Sequence, residues 1–218
     1  MMQKNEVNGY RRCKRLFEKY REYTMTPRET FINNLLLCQS FAEVKGDIVE
    51  CGVWKGGMSA AIAEVMGNHR QVHLFDSFEG LPPAEEIDGQ SALDWQRDTT
   101  SPGFHDNCNA DESFALRAMD LAGHKDFMIH KGWFDQTLPG YQANPIAILR
   151  LDGDWYKSIA VCLNVLFPRV ATGGVVILDD YYVWEGCARA VHDYLVASKT
   201  TSRIRQWKGD VAYIIKQQ

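Results

Sequence analysis

Ile146-Ala-Ile-Leu-Arg-Leu-Asp-Gly-Asp154 and its echo Val175-Val-Ile-Leu-Asp-Asp180 are short apolar runs that end abruptly in carboxylates. Runs of this length and composition read as strands buried on both faces, the pattern of a parallel sheet. Ligands of such sheets sit just outside the carboxyl ends of the strands. Asp152, Asp179 and Asp180 are therefore expected to converge at the mouth of the sheet. Three carboxylates cannot share a dry site without a cation to offset their repulsion. A divalent ion held by oxygen ligands, Mg2+ or another, is the first expectation.

Bulk composition fits that reading. The chain has 218 residues, 45% of them hydrophobic, enough for a sizeable core and against disorder. Residues 1–45 read as an N-terminal helical cover and 46–218 as the sheet-bearing domain, the two packed as one unit. A net charge of -4 and a pI near 5.9 give no electrostatic footprint for nucleic acid. The basic cluster Arg11-Arg12-Cys13-Lys14-Arg15 is followed at once by Glu18 and Glu22, as on a solvated helix face. No apolar run is long enough to span a membrane, and no signal-type apolar segment follows Met1. Six cysteines lie scattered without paired or metal-type spacing. Reduced thiols in a cytoplasmic protein are expected, and a zinc site is not.

The elements alternate along the chain. Arg11 to Tyr23 places Leu16, Phe17 and Tyr20 on one helical face. Thr26-Pro27-Arg28-Glu29 reads as a helix start, with Thr26 as N-cap and Pro27 in the first position. This helix, running to Gly46, is expected either to pack on the sheet or to cover a site. Ile48 to Cys51 is the first strand, followed by the turn Gly52-Val-Trp-Lys-Gly56-Gly57, a helix from Ser59 to Met66, and a strand from Val72 that ends in Asp76. Ser77 to Ala110 is long, rich in Pro, Gly and Asp, and without clear periodicity, as lids and binding loops are. Asn109-Ala-Asp-Glu112 looks like a capping box for the next helix, and Phe127 to His130 is a third strand. Helices over 159–170 and 186–197 follow the two acidic strands, and 204–215 closes the chain as an antiparallel hairpin.

The glycine turn separates cofactor classes. A dinucleotide fingerprint is G-x-G-x-x-G, whose backbone approaches a pyrophosphate at a helix N-terminus. Here the turn is Gly52-x-x-x-Gly56-Gly57, preceded by Glu50, a carboxylate that would repel a pyrophosphate. It suits instead the amino group or sulfonium of S-adenosylmethionine, and Asp76 can accept hydrogen bonds from both ribose hydroxyls.

Five motifs in register carry a family resemblance: Glu50-Cys-Gly-Val-Trp-Lys-Gly-Gly57, Asp76-Ser-Phe-Glu-Gly-Leu-Pro82, Lys131-Gly-Trp-Phe-Asp-Gln-Thr-Leu-Pro139, Leu151-Asp-Gly-Asp-Trp-Tyr156 and Asp179-Asp-Tyr181. Together they resemble the macrocin O-methyltransferase (TylF/MycF) family, over about residues 46–195. The resemblance implies a class I methyltransferase (Rossmann-like) α/β fold. Its sheet would be doubly wound, mostly parallel and seven-stranded, with an antiparallel C-terminal hairpin and an N-terminal helical addition. It implies an S-adenosylmethionine- and Mg-dependent O-methyltransferase, acting on a sugar or glycosylated secondary metabolite. Glu50 and Gly52 would meet the cofactor's methionine end, Asp76 and Ser77 its ribose and adenine edge, and Trp133 its adenine. Asp152, Asp179 and Asp180 would bind the metal, in agreement with the strand-end reading. A homodimer follows by analogy alone. The sequence departs from the family at Lys157-Ser158, where Glu-Ser is usual, and over Pro83 to Asp111, where acceptor specificity is expected to lie.

Moving a methyl group onto a hydroxyl requires help in removing that hydroxyl's proton. Asp152 is the expected ligand and proton acceptor. Asp154 could take the proton instead but is read mainly as a cap for the following helix, and His105 as an exposed lid residue that could act as a base. Trp54, with Phe78 and Trp133, could line the cofactor pocket, and Arg150 is expected to pair with a neighbouring carboxylate. The partner is a small hydroxylated molecule, with no nucleic acid and no membrane. A phenolic or catechol-like acceptor, or a non-catalytic module that binds S-adenosylmethionine, are the alternatives.

Overall fold

The computed structural model describes residues 2–142 and 144–217. Five strands run parallel: β1 (Asp47–Cys51), β2 (Val72–Asp76), β3 (Phe127–Lys131), β4 (Ile146–Leu151) and β5 (Val170–Leu178). β6 (Ile204–Gln206) and β7 (Ala212–Ile215) form the closing hairpin, and β7 pairs antiparallel with β5. The order β3-β2-β1-β4-β5-β7-β6 makes a doubly wound, mostly parallel, seven-stranded sheet. The winding reverses between β1 and β4, and a crevice opens at that switch point.

Successive strand residues point to opposite faces, so each strand feeds two cores. Ile48, Ile148 and Val175 join one, Val49, Leu149 and Val176 the other, all fully or almost fully buried. On the first face lie α1 (Met2–Tyr20), α2 (Arg28–Gln39), α3 (Gly57–Met66) and, past a short lid helix α4 (Gln90–Arg97), α5 (Glu112–Ala122). The second face holds the single turn α6 (Phe134–Thr137), α7 (Tyr156–Leu166) and α8 (Glu185–Ala197). α1 and α2 contribute Cys13, Leu16, Tyr20, Phe31, Ile32 and Leu35 to the same core as α3. Lys19 and Tyr20 also reach Glu64 of α3, at 2.6 and 2.8 Å.

Several helix ends differ from the sequence reading. The N-cap of α2 is Pro27 rather than Thr26, and no side chain caps it. The α5 cap lies two residues past Asn109, at Asp111, whose carboxylate accepts from the Ser113 N–H at 2.9 Å. The lid, expected to be irregular, contains α4 and two stretches of 3-10 helix. Its second stretch includes a left-handed turn, His105 to Cys108, with φ between 48° and 60°. His73 and His130, the latter expected to be structural, meet at 3.0 Å between their ring nitrogens, and His130 stacks on Phe75.

The first core depends on the N-terminal helices, and Phe31 of α2 is one of its fully buried aromatics. Phe31→Ala should lower unfolding free energy by about 3–5 kcal/mol, read as a shift in urea midpoint. A cost below about 1 kcal/mol would show that α2 packs loosely on α3.

Candidate active site

At the switch point the tips of β1, β2 and β4 surround a cleft of about 550 Å3, within the range of small-molecule sites. Gly52, Trp54, Asp76, Ser77 and Trp133 all line it, as do Asp152 and Asp154. Glu50 does not; it lines an adjoining recess of about 30 Å3 that shares Gly52, Trp54 and Asp152 with the cleft. The turn between the first helices closes that recess with Tyr23, Thr24, Met25 and Thr26. The N-terminal segment thus both packs and covers.

Gly52 is required by the fold itself. Its φ is +87°, and a Cβ there would stand 1.6 Å from the Asp152 carbonyl oxygen. Gly56 and Gly57 press on Ala115 and Tyr23 instead of facing the cleft, where a Cβ at Gly57 would meet the Tyr23 carbonyl oxygen at 2.5 Å. The α3 N-terminus therefore offers no open cradle for a pyrophosphate.

Asp76 organises the turn backbone. Its Oδ2 accepts from the Val53 and Trp54 N–H groups at 2.6 and 2.8 Å, and its Oδ1 from Phe78 N–H at 2.7 Å. Trp54 and Phe78 both lie in the left-handed region, at φ 48° and 54°, a conformation costing about 1–3 kcal/mol in a non-glycine residue. Burial raises the Asp76 pKa, against the pull of those three N–H groups. A carboxylate has about four acceptor positions, so Asp76 keeps capacity for a ligand.

The acids around β4 and β5 divide around Arg150. This side chain is 1% exposed. Its Nη1 donates to Glu50 Oε1 at 2.6 Å and to Asp152 Oδ2 at 2.7 Å. Its Nη2 lies 2.5 Å from Asp179 Oδ1, at an angle outside hydrogen-bonding range. Burial opposes the guanidinium charge, but Asp179, Asp152 and Glu50 outweigh it and hold its pKa well above the usual value. Ser59 Oγ donates to the other Glu50 oxygen, so both Glu50 oxygens are engaged. Arg150 thus pairs with carboxylates, as read from the sequence.

The carboxylates that gather closely are Asp152, Asp154 and Asp180, one oxygen of each lying within 4.8 Å of the others. Asp179 is adjacent but committed through one oxygen to Arg150. Asp154 does not cap α7: its φ is +55°, its N–H donates to Asp180 Oδ2 at 3.0 Å, and its Oδ1 accepts from Trp184 Nε1 at 2.8 Å. Burial, then the charges of Asp154, Asp152 and Asp179, push the Asp180 pKa well up. Burial raises that of Asp152 too, against the pull of Arg150. Asp154 is pushed up to about 7, by burial and the Asp179 charge against the Trp184 hydrogen bond. The donor set is all hard oxygen, and its spread matches six-to-eight-fold oxygen coordination at about 2.0–2.6 Å. These residues fit a divalent cation.

Asp154, read from the sequence as a cap or an alternative proton acceptor, is instead a member of the close cluster. Sequence reasoning missed several neighbours. Asp88, Cys108 and the ion pair of Lys157 with Glu85, all on the cleft, come from the lid or face it, and nothing local announces them. Burial raises the Cys108 pKa, followed by the charges of Asp154, Asp152, Asp180 and Asp76. His105 is exposed, edge-on to Trp54 at 6.5 Å, and off the cleft lining.

A doubly wound sheet of seven strands, parallel but for its closing hairpin, is the architecture of class I methyltransferases. The sequence matches the Macrocin-O-methyltransferase (TylF) family over residues 3–216, and the chain belongs to that family. The 8-demethyl-8-(2,3-dimethoxy-alpha-L-rhamnosyl)-tetracenomycin-C 4'-O-methyltransferase of Streptomyces olivaceus is 40% identical over 159 residues, 69% of this chain and 58% of that protein. The demethyldecarbamoylnovobiocin O-methyltransferase of Streptomyces niveus is 35% identical over 159 residues, with the same coverage of 69% and 58%. The chain therefore spans a little over half the length of these curated relatives. Among solved structures, the O-methyltransferase NovP superposes with a TM-score of 0.70 at 28% identity, covering 86% of this chain and 81% of that one.

The site geometry generates a stability test. Asp154 holds its proton to about pH 7 in the fold against an ordinary value of 3.8. The folded state therefore binds more protons through that window. The cost of the buried charge is full above pH 7 and fades as pH falls toward 4. Asp154→Asn keeps the acceptor for Trp184 and removes the charge. Without added divalent ions it should raise the thermal midpoint at pH 8 by about 2–4 °C for each kcal/mol relieved, with a smaller gain at pH 5. A midpoint unchanged at both pH values would mean the cluster is not under electrostatic stress.

Proposed function

We propose that this protein is an O-methyltransferase that moves the methyl group of S-adenosylmethionine onto a hydroxyl of a glycosylated small molecule, with a divalent cation in the acidic cluster. The observation that carries the reading is the juxtaposition of a turn-built cleft at the β1–β2 tips with the Asp152, Asp154 and Asp180 carboxylates beside it. Family membership supports the reaction, and the rhamnosyl group in the first relative's name supports a sugar rather than a phenol as acceptor.

On this reading Gly52, Trp54, Asp76, Ser77 and Trp133 bind the donor, and Glu50 acts from beneath through the recess. Asp152 and Asp180, in both the expected trio and the observed cluster, hold the cation. Asp179, with one oxygen on Arg150, and Asp154 flank them. The bound cation would supply positive charge that makes the acceptor hydroxyl easier to deprotonate. Asp154 is the better proton acceptor. Both carboxylates line the cleft with one oxygen hydrogen-bonded, but the Asp152 partner is the Arg150 guanidinium, which stabilises its charged form, and the Asp154 partner is the neutral Trp184 indole N–H. The aromatic rings of Trp155 and Trp184, 5.2 Å apart, wall off water on that side.

Calorimetric titration with S-adenosylhomocysteine should give saturable binding, and NAD should give none. Methyl transfer from labelled S-adenosylmethionine to a rhamnosylated aglycone should need added Mg2+. Asp154→Asn should lower turnover by about 10²- to 10⁴-fold with homocysteine-analogue affinity near wild type. Asp76→Ala should weaken that affinity first. Binding of NAD in place of S-adenosylhomocysteine would replace the reading with an oxidoreductase.

A further inference from the structure

The N-terminus of α7 is capped from a distance. Its N-cap residue is Trp155, and no side chain of the flanking sequence satisfies the first N–H groups. Asp88, in the lid 68 residues earlier, does: its Oδ1 accepts from Tyr156 N–H at 2.7 Å. The other oxygen accepts from Glu85 N–H at 2.8 Å, locking the lid's own single turn. Asp88 is 3% exposed, although it belongs to the segment that matches the family poorly.

The place for this carboxylate is built into two other elements. Gly186 is the second residue of α8, and a Cβ there would stand 2.3 Å from Asp88 Oδ1 and 2.9 Å from Tyr156 N. Gly89 lies against Glu185 in the same way, with a Cβ 2.8 Å from its carboxyl carbon. Asp88 therefore lies where the positive ends of α7 and α8 meet, the preferred place for an anion. The nearest carboxylate in the chain before α7 is Asp154, one position outside the N-cap Trp155. It makes no contact with the Tyr156 N–H that Asp88 occupies; its backbone is left-handed and its carboxylate lies in the acidic cluster.

The geometry points to Asp88 as a positioning residue: a lid carboxylate that caps α7 and leaves Asp154 to the acidic cluster, so that closing the lid and completing the cluster are one event. This rests on the proposed function for the use of the cluster, and not for the latch itself.

Two measurements on the full chain separate these. Between Ser77 and Asp111 the single tryptic site is Arg97, in α4. Its side chain is already exposed, so cleavage there reports unfolding of the α4 backbone, and Asp88→Ala should raise its rate at least about tenfold. Mn2+ titration followed by electron paramagnetic resonance should show an affinity loss of about 10- to 100-fold, as for residues that orient ligands without touching the metal. S-adenosylhomocysteine binding should stay within about threefold, an expected change under 1 kcal/mol. Asp88→Asn keeps an acceptor for Tyr156 N–H and should restore lid protection. Gly186→Ala, which wedges the carboxylate out, should match Asp88→Ala. Wild-type protection of Arg97 in both Asp88→Ala and Gly186→Ala would overturn the latch. So would loss of S-adenosylhomocysteine binding along with the metal, which would mark a collapsed site. If the wild type binds no Mn2+, the functional reading fails, and cleavage at Arg97 still decides the latch.

Discussion

Arg150 lies in the middle of the sheet, paired in register with Glu50 of β1 and Ile177 of β5, with acids on three sides. Burying one guanidinium costs several kcal/mol before any partner is counted, and removing one member of such a group costs about 3–5 kcal/mol. Here the cation does not neutralise its surroundings, because three carboxylates contact it. What it does is partition them. Glu50 and Asp179 are held back against the sheet, and Asp152 is shared. Asp154 and Asp180 are left with N–H partners and no cation. The excess negative charge is thereby concentrated on one side of Asp152, beside the cleft. Structural and ligand-facing acids from the same strand tips are separated by one side chain.

A second constraint runs through the backbone. Trp54, Phe78 and Asp154 each follow a strand tip within three residues and each adopt a left-handed conformation. In all three the strained residue's own N–H is fixed by a carboxylate: Asp76 holds the first two, and Asp180 the third. Strain of this kind persists only where surrounding structure over-determines it. The sharp turns aim Trp54 and Asp154 at the cleft, and the acids that enforce the turns lie in or beside it. Charge that would otherwise only repel is therefore put to use as a backbone clamp. This explains why acids occur at tip after tip, beyond what a metal alone would require.

Much of this was legible from residue order alone. Apolar runs of strand length ending in Asp152, Asp179 and Asp76 place the switch point and the sheet, because burial on both faces forces that composition. Gly52 reads as a turn glycine, but what makes glycine obligatory there is the Asp152 carbonyl of a neighbouring strand, a contact no local pattern encodes. Arg150, conspicuous among apolar residues, could be matched to carboxylates, but not to three at once. Helix caps were misread at Thr26, Asn109 and Asp154. A cap competes among nearby polar residues, and tertiary contacts decide the winner. Asp88 was invisible for the same reason: its partner lies across 68 residues.

The two halves of the cleft are under different constraints, and this bears on how one scaffold can serve different acceptors. The strand-tip half is fixed by the sheet register, by Arg150 and by the clamps at Asp76, so a substitution there disturbs several strands together. The lid half is fastened at a few points: Trp155 Nε1 donates to the Pro82 carbonyl at 2.9 Å, Asp88 caps α7, and Lys157 pairs with Glu85. Lys157 reads from the sequence as a departure from the family, and its partner Glu85 lies in the lid. The departure is thus met by an opposite charge on the lid, and the two sides of this contact form a local unit that can change together. Between those fastenings the lid is free to vary in sequence without moving an acid of the cluster. On the proposed function, the residues assigned to donor binding and proton removal would thereby be insulated from changes in acceptor shape.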